Sequence, residues 1–292
     1  MKLLIVANPN VYENRRMSAE GRKLGHRVLV RRIREVNFDL RGKKTEVLLG
    51  TKSLDAVCDA IYFRHFPPSL IPEALLMAEW ARTRGVTIFE PSMAEGRFVR
   101  SKVYDYWKLL DAGLPVPKGF QTLKLEKAGR YLKGLGWPVV AKGIHGSRGK
   151  YVYLLNSLKE ARAYLTDHLV GFFTFQEYLE IEAEYRIIVI GGKAVGAMRK
   201  YHAEGDFRHN IAVGASGEAA TVPAEWNRLA ERSAKTLGYG FAGVDLAIAG
   251  KKPYLLEVNR TPAFAEFEKV TGVNVAKLFL QHVAKNRHRR AA

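Results

Sequence analysis

The sequence contains only one cysteine, Cys58, so no disulfide bond can form within the chain. Such sparse cysteine usage is typical of a reducing compartment, and we expect a cytoplasmic protein. No apolar run approaches the roughly 20 residues that a membrane-spanning helix requires. The N-terminal run MKLLIVANPN has too short an apolar core for a signal peptide, and no small-residue cleavage site follows it. We therefore expect no association with a membrane.

Internal repeats, low-complexity tracts and long linkers are also absent. The chain has 292 residues, of which 47% are hydrophobic and 26% are charged. This composition is that of a folded protein, and the length accommodates two or three modest layered units.

Acidic residues are scarce relative to basic ones. Asp and Glu number 29 against 47 Lys and Arg, which gives a formal net charge of +18. An excess of this size indicates anionic partners: a nucleotide, an acidic substrate or nucleic acid. Basic residues cluster at 15–16, at 31–34 and in the tail at 285–290. A solvated helix end is the simplest interpretation of that tail.

Apolar runs alternate with helical segments in the first unit, residues 1–95. Strands are predicted at 2–7, 26–33, 59–64 and 86–89, and helices at 13–24 and 71–84. This alternation favours an open α/β layer with a parallel sheet.

The second unit, residues 96–178, is predicted to be a compact α+β layer. It begins with a helix at 101–112 that Ser101 caps and Gly113 ends. Strands at 137–142, 151–155 and 172–178 and a helix at 157–168 follow. The third unit, 179–292, opens with a hairpin whose strands, 185–190 and 193–199, are joined by Gly191-Gly192.

Three oxygen-bearing side chains in the stretch GVDLAIAGKKPYLLEVNRTP are the main candidates for a metal site. A hairpin through 249–253 brings Asp245 beside Glu257 and Asn259. Two carboxylates and an amide oxygen beside basic groups suit a hard cation, such as Mg²⁺, that also holds phosphate oxygens. The alternative is an edge hairpin with solvated acids.

Strand alternation predicts which way this segment faces. Residues two apart share a face, so Glu257 and Asn259 project together while Leu256 and Val258 turn into the core.

A glycine-rich loop at 143–150 is the candidate for phosphate binding. Glycines let the backbone approach a ligand and point amides at phosphate oxygens, so Ser147, Arg148 and Gly149 are expected to contact a nucleotide. The loop lacks the GxxxxGK[ST] pattern and lies between two strands, which excludes a Walker loop. A plain flexible turn is the alternative.

Two lysines are candidates to hold nucleotide phosphates as point charges. Lys142 ends the strand PVVAK, and Lys102 begins the helix at 101–112. A snorkelling lysine is the alternative for Lys142. The segment 199–210 adds basic and imidazole groups that suit an acidic substrate or a transferring phosphoryl group. A solvated loop is the alternative for this segment.

Seven motifs in a matching order and spacing make the chain resemble the ATP-grasp superfamily, and within it the RimK-like amino-acid ligases. The motifs are SKVYDYWKLLDAGLPVPKG, PVVAKGIHGSRGK, QEYLE, EYRIIVIGGKAVGAM, GDFRHN, GVDL and YLLEVNRTPAF. The resemblance covers roughly 97–283 and implies an ATP-grasp fold, with the N-terminal parallel-sheet unit in the place of the pre-grasp domain.

The resemblance also implies roles for individual residues. Lys102 and Lys142 correspond to the nucleotide lysines, and Glu177 and Tyr178 to the adenine hinge. Glu184 matches the ribose-binding acid, where relatives usually carry Asp. The metal ligands correspond to Asp245, Glu257 and Asn259, and the residues near the γ-phosphate and acyl site to Arg208 and Asn210. His209 stands where Ser is usual, which leaves the acceptor open.

The implied reaction is ATP- and Mg²⁺-dependent (or Mn²⁺-dependent) ligation of a carboxylate to an amine through an acyl phosphate, with Arg208 and Arg199 stabilising negative charge. An acidic amino acid such as glutamate is the expected donor, and a peptide, protein tail or small molecule the acceptor. A homo-oligomer is compatible with the resemblance. We expect Glu257→Gln and Asp245→Asn to keep the fold and abolish ATP turnover.

Two other functions fit parts of the sequence. One is a dipeptide or glutathione-type synthetase from another ATP-grasp branch. The other is a non-catalytic protein that binds nucleotide and associates with RNA or the ribosome. The basic clusters favour this function, and the intact set of Asp245, Glu257 and Asn259 argues against it.

Overall fold

The computed structural model describes residues 1–122, 128–143, 152–167, 173–201 and 217–287. The strands are β1 (Lys2–Val6), β2 (Arg27–Arg31), β3 (Val36–Asp39), β4 (Glu46–Leu49), β5 (Lys52–Ser53), β6 (Ala60–Phe63), β7 (Thr87–Ile88), β8 (Gly119–Gln121), β9 (Val139–Gly143), β10 (Val152–Leu155), β11 (Phe173–Glu177), β12 (Ala183–Ile190), β13 (Lys193–Lys200), β14 (Gly217–Ala220), β15 (Phe241–Ala249) and β16 (Lys252–Asn259). The helices are α1 (Tyr12–Lys23), α2 (Leu54–Val57), α3 (Ile71–Thr83), α4 (Pro91–Ala94), α5 (Lys102–Asp111), α6 (Ala128–Leu135), α7 (Leu158–Asp167), α8 (Ala224–Leu237), α9 (Ala265–Thr271) and α10 (Val275–Asn286).

The predicted N-terminal parallel sheet is present, with strand order β2-β1-β6-β7. Residues 3–6 of its central strand β1 are buried, as expected for a parallel strand covered on both faces. Strands β3, β4 and β5 form a small antiparallel sheet that the sequence analysis did not assign. Each of them has only two to four residues, too few to produce a clear alternating pattern.

The central sheet is antiparallel, with strand order β10-β9-β11-β8. Leu132 of α6 and Ala161 of α7 pack with Val139 and Phe175 of the sheet in one apolar core. Helix α6 was not predicted. This sheet carries Lys142 on β9, paired with Val152 and Thr174 on the neighbouring strands.

Helix α5 was predicted within the central unit but packs on the C-terminal one. Leu109 is buried together with Ala230 and Ala234 of α8 and with Ile187 of β12. The sequence pattern identified the helix because amphipathic spacing is local information. Which sheet the apolar face covers depends on contacts with residues more than 70 positions away.

The C-terminal sheet is antiparallel, with strand order β14-β13-β12-β15-β16. One of its faces packs against the N-terminal sheet, so that Phe241 of β15 and Phe279 of α10 share a core with Leu3, Ile5 and Tyr62. Every residue of β15 is buried. In the described ranges, no helix is both long and apolar enough to cross a membrane.

Both hairpins of this sheet turn at residues with positive φ. Gly191 and Gly192 have φ of 58° and 77°, and Gly250 and Lys251 have φ of 54° and 63°. Such left-handed pairs produce the tight two-residue turns that match the twist of antiparallel strands. The predicted hairpin at Gly191-Gly192 is therefore confirmed.

The two turn glycines offer a matched test of packing against helix α10. A Cβ on Gly191 would lie 1.9 Å from Cε1 of His282, whereas a Cβ on Gly192 meets nothing within 4 Å. Both alanine variants carry the strain of positive φ, about 1 kcal/mol. We expect Gly191→Ala to lower the free energy of unfolding by about 2 kcal/mol more than Gly192→Ala, because it also displaces the His282 ring. Urea unfolding measures the difference, and equal losses would contradict the predicted clash.

Candidate active site

The β15–β16 hairpin brings the three predicted metal ligands together. Asp245 pairs directly with Glu257, and Gly243 pairs with Asn259. The Asn259 Nδ2 atom lies 3.4 Å from Asp245 Oδ2 and 3.3 Å from Glu257 Oε2. The predicted convergence of two carboxylates and one amide is therefore present in the folded chain.

One prediction in this segment is wrong: Leu256 does not turn into the core. The register shifts after Asp245, so that Leu246 pairs with Leu255 and Leu256 is the extra residue of a β-bulge. Leu255 is fully buried instead, while Leu256 lines the cleft and its carbonyl accepts a 2.7 Å hydrogen bond from the Tyr106 hydroxyl. The bulge re-aims the strand just before Glu257.

Asp245 is held by an arginine that the sequence analysis missed. The Arg186 Nε atom donates to Asp245 Oδ1 at 2.8 Å, and its terminal nitrogen donates to Oδ2 at 2.7 Å. Burial alone would lower the pKa of Arg186, but the charge of Asp245 outweighs it and the pKa is raised. The signal for this pair was the position of Arg186, two residues after Glu184 on the same strand face.

Glu184 and Lys200 form a buried ion pair beside Asp245. The two residues are direct cross-strand partners, and only 1% of either side chain is exposed. Lys200 Nζ also lies 3.8 Å from Asp245 Oδ2. Glu184 lines the cleft as predicted, and the structure adds Lys200 as a charged partner.

The structure does not bring Arg199 to these acids. Arg199 pairs with Tyr185, whose ring packs 5.3 Å from Trp226 of helix α8. The Arg199 guanidinium lies over the Tyr201 ring at 5.3 Å. Since successive strand residues face opposite sides, Lys200 points to the acids and Arg199 points away from them. Arg199 is the one described site residue that the fold places elsewhere.

Except for Asn259, the remaining described candidates line one open cleft between the central and C-terminal sheets. Apolar side chains line the cleft together with the polar candidates, an arrangement typical of small-molecule sites. The apolar residues are Val140, Val152, Leu179, Ile181 and Leu256. The predicted site residues that line it are Lys102, Lys142, Glu177, Tyr178, Glu184, Asp245 and Glu257.

Each lysine of the cleft is held in a different way. Ser101 caps helix α5 as predicted, accepting from the Tyr104 backbone amide at 3.4 Å, and Lys102 follows it with Nζ 3.6 Å from Glu257 Oε1. Lys142 projects from strand β9, where burial lowers its pKa while Glu257 opposes the shift. Both amines therefore face the same carboxylate.

Glu177 is tied to the neighbouring strand and leaves its backbone at the edge of the cleft. Its Oε1 atom accepts from the Lys118 backbone amide at 2.8 Å, and its own amide donates to the Lys118 carbonyl at 2.9 Å. Tyr178, the next residue, lines the cleft. The predicted Ser147, Arg148, Gly149, Arg208 and Asn210, with His209, lie outside the described residues.

Asp105 is a further acid of the cleft that the sequence analysis missed. It lies one helical turn after Lys102 and accepts a 3.0 Å hydrogen bond from the Tyr239 hydroxyl. Burial, with a contribution from Glu257, raises the pKa of Asp105 to about 7. The spacing of three from Lys102 on one helix face was the available signal.

The donor set fits a hard cation. The converging side chains are two carboxylates and one amide, whose Nδ2 atom faces both carboxylates. Carboxylate and amide oxygens are the ligand type that Mg²⁺ prefers. Among the described residues, no group of three or more His, Cys, Asp or Glu side chains forms another metal site. The sequence predicts the metal-binding role for Asp245, Glu257 and Asn259.

Comparison with known proteins places this cleft in a family. The RimK-like ATP-grasp domain model matches residues 101–283. The probable alpha-L-glutamate ligase of Marinomonas sp. (strain MWYL1) is 29% identical over 98% of this chain and 96% of that relative. The probable alpha-L-glutamate ligase of Shewanella pealeana (strain ATCC 700345 / ANG-SQ1) is also 29% identical, over 97% of this chain but 62% of its own length.

A solved structure shares the fold across the whole described chain. The ATP-grasp ligase PsnB, complexed with minimal precursor, Mg and ADP, superposes with a TM-score of 0.72 at 23% identity, covering 97% of both chains. The cleft and fold define an ATP-grasp ligase, an ATP-dependent enzyme that forms carbon–nitrogen bonds and releases ADP. More narrowly, the chain belongs to the RimK-like ATP-grasp family.

The raised pKa of Asp105 predicts how stability depends on pH. A carboxyl that binds its proton more tightly in the folded state stabilises the fold below its ordinary pKa of 3.8, and this contribution is lost as the pH rises to about 7. Between pH 4 and pH 8, Asp105→Asn should therefore lose less free energy of unfolding than the wild type does, by up to about 4 kcal/mol.

Urea unfolding at both pH values measures this effect. Asp111→Asn, an exposed substitution at the end of the same helix, is the matched control and should retain the wild-type pH dependence. If the stability of Asp105→Asn depended on pH as the wild type does, the raised pKa of Asp105 would be contradicted.

Proposed function

We propose that this protein is an ATP- and Mg²⁺-dependent carboxylate–amine ligase that joins an acidic amino acid, such as glutamate, to a peptide, protein tail or small molecule. The observation that carries the proposal is the meeting of Asp245, Glu257 and Asn259 at one end of a cleft that also presents Lys102 and Lys142. Oxygen ligands beside amine charges are what a metal-bound triphosphate requires.

The reaction needs no nucleophilic side chain. An oxygen of the substrate carboxylate attacks the γ-phosphorus of ATP. The bond between the γ-phosphorus and the β–γ bridging oxygen breaks, so that ADP departs and the carboxylate becomes an acyl phosphate. The amine of the second substrate then attacks the acyl carbon, and phosphate departs as the amide forms. Catalysis of this kind depends on positioning and on neutralising charge.

The residues of the cleft divide this work. Mg²⁺, when held by Asp245, Glu257 and Asn259, neutralises charge on the phosphate oxygens. Lys102 and Lys142 bind the phosphates, and the backbone at Glu177 and Tyr178 binds the adenine edge. Because Lys200 rather than Arg199 points toward Asp245, we assign Lys200 the charge-stabilising role that the sequence analysis gave to Arg199.

Arg186 and Lys200 also orient the buried acids. Arg186 holds both oxygens of Asp245, and Lys200 holds Glu184. A carboxylate fixed by a guanidinium fork presents its remaining lone pairs in a constant direction. Glu184 in the ribose role and Arg208 and Asn210 near the acyl site stay predictions. We also propose that the loop 143–150 closes as a lid that keeps water from the acyl phosphate.

Relatives support the choice of substrates. The Marinomonas and Shewanella relatives carry the name probable alpha-L-glutamate ligase, and PsnB is complexed with a precursor, Mg and ADP. Glutamate as donor and a peptide as acceptor are therefore the first substrates to test. A phosphate-release screen of amino acids, singly and in pairs, with mass spectrometry of the products would identify them.

Glu257→Gln is the cleanest test of the metal site. Only Lys102 forms an ion pair with Glu257 among the described residues, and the side chain is 37% exposed, so the fold should survive. We expect ADP release to fall by about 10²-fold or more, because an amide replaces a charged metal ligand. Glu79→Gln, an exposed substitution on α3, should retain wild-type ADP release. A Glu257→Gln variant with near wild-type ADP release would refute the proposed metal role.

Asp245→Asn is expected to affect stability as well as turnover, which revises the expectation from sequence. The substitution leaves the buried Arg186 guanidinium without its charged partner. We expect a loss of about 3 kcal/mol in the free energy of unfolding, measured in urea, whereas Glu257→Gln should change it by less than about 1 kcal/mol. Equal stability of the two variants would show that the Arg186–Asp245 pair contributes little.

A further inference from the structure

Three arginines meet beside the carboxylate end of the cleft, where the N-terminal sheet contacts the segment after β16. Arg64 follows strand β6, Arg100 lies two residues before Lys102, and Arg260 directly follows Asn259. The following inference deepens the proposed function, on which it rests, by naming how an acidic substrate is recognised.

Arg260 is fixed in place by hydrogen bonds and stacking. It donates to the backbone carbonyls of Phe63 and Arg64, the latter at 3.2 Å. Its guanidinium carbon lies 4.8 Å from the Phe98 ring centroid and 5.6 Å from that of Phe66. A guanidinium held this way keeps its orientation, which favours recognition of a planar anion.

Arg64 is a buried cation with spare hydrogen-bonding capacity. It is only 4% exposed, and one terminal nitrogen donates to the Pro262 carbonyl at 2.8 Å. The other terminal nitrogen, Nη1, is buried and has no hydrogen-bond partner among the described residues. Buried donors are normally satisfied, so an unpartnered one calls for a ligand.

Arg100 supplies the exposed member of the cluster. Its Nη1 atom donates a hydrogen bond to the Phe66 carbonyl at 3.3 Å. Burial of part of the side chain and the nearby charge of Arg260 lower the pKa of Arg100. The pKa of His65 is likewise lowered, by burial first and then by Arg100, Arg260 and Arg64. All three arginines therefore act on one small region.

None of the three arginines forms an ion pair with a described carboxylate. Glu90 lies within electrostatic reach of Arg64 and Arg260, and Asp105 lies within reach of Arg260, but burial raises the pKa of both acids to about 7. Adjacent like charges are unfavourable unless an anion joins them.

The cluster adjoins the proposed reaction site through two chain segments. Arg260 is covalently next to Asn259, which contacts Glu257. Arg100 precedes Lys102, whose amine lies 3.6 Å from the same Glu257. The charge of Arg260 also acts on Asp105, which lines the cleft, so the cluster lies beside this end of the cleft.

We propose that Arg64, Arg100 and Arg260 form a subsite that binds the non-reacting carboxylate of the acidic amino-acid substrate. Guanidinium groups bind carboxylates through paired hydrogen bonds, and they discriminate strongly against a neutral amide of the same shape. Arg64 and Arg260 also hydrogen-bond across the junction between the two sheets, so removing either one risks loosening the fold. Arg100, with fewer contacts, is the residue to vary.

The test is equilibrium binding of L-glutamate and L-glutamine to the full chain, in the presence of Mg²⁺ and a nonhydrolysable ATP analogue, by calorimetry. We expect the wild type to bind L-glutamate at least about 10-fold more tightly than L-glutamine. Arg100→Gln should reduce this ratio by about 10-fold, and Arg100→Lys should restore part of it. Arg97→Gln is the matched control, an exposed arginine of the same segment paired with Glu95, and should retain the ratio.

Two results would overturn the subsite: a wild type that binds both amino acids equally, or an Arg100→Gln variant that keeps the wild-type ratio and thermal midpoint. Either result together with Glu257-dependent ADP release would leave the proposed ligase intact and remove only the subsite. If the protein prefers glutamate but releases no ADP, the subsite stands and the proposed ligase function is removed.

Discussion

The bidentate contact between Arg186 and Asp245 is the interaction on which the rest of the site depends. Asp245 lies on β15, a strand buried along its whole length, where an unpaired carboxylate would be costly. Arg186 on the adjacent strand compensates that charge and fixes both carboxylate oxygens. Glu257 and Asn259 then meet Asp245 through strand pairing alone. The Arg186–Asp245 pair thus offsets the cost of burying the acid and orients its carboxylate toward the cleft.

Charged residues continue this pattern on one face of the C-terminal sheet. Along β12, Ile188 and Ile190 pack into the core shared with the N-terminal sheet, whereas Glu184 and Arg186 on the same face line the site. Lys200 on β13 completes the ladder by pairing with Glu184. A single strand face therefore changes from apolar packing to paired charges within a few residues, because each buried charge has an opposite charge on the neighbouring strand.

At the junction of the N-terminal and C-terminal sheets, the arginines that hold the two sheets together also belong to the proposed carboxylate subsite. Arg64 donates across it to the Pro262 carbonyl, and Arg260 donates back to the Phe63 and Arg64 carbonyls. These bonds satisfy backbone groups at the ends of strands and hold guanidinium groups beside Asn259. An excess of positive charge at that position is consistent with the net charge of +18 and gives part of it a specific location.

The sequence by itself determined the local features: the parallel N-terminal unit, the hairpin turns, and the grouping of Asp245, Glu257 and Asn259, because alternation and turn chemistry act between near neighbours. Only the tertiary structure decided that α5 covers the C-terminal sheet, that a bulge turns Leu256 into the cleft, and that Lys200 rather than Arg199 faces the acids. Arg186, Asp105 and the three-arginine cluster also emerged only there. Their partners are 34 or more residues away, and contacts at that separation are set by strand register and packing, which no local pattern encodes.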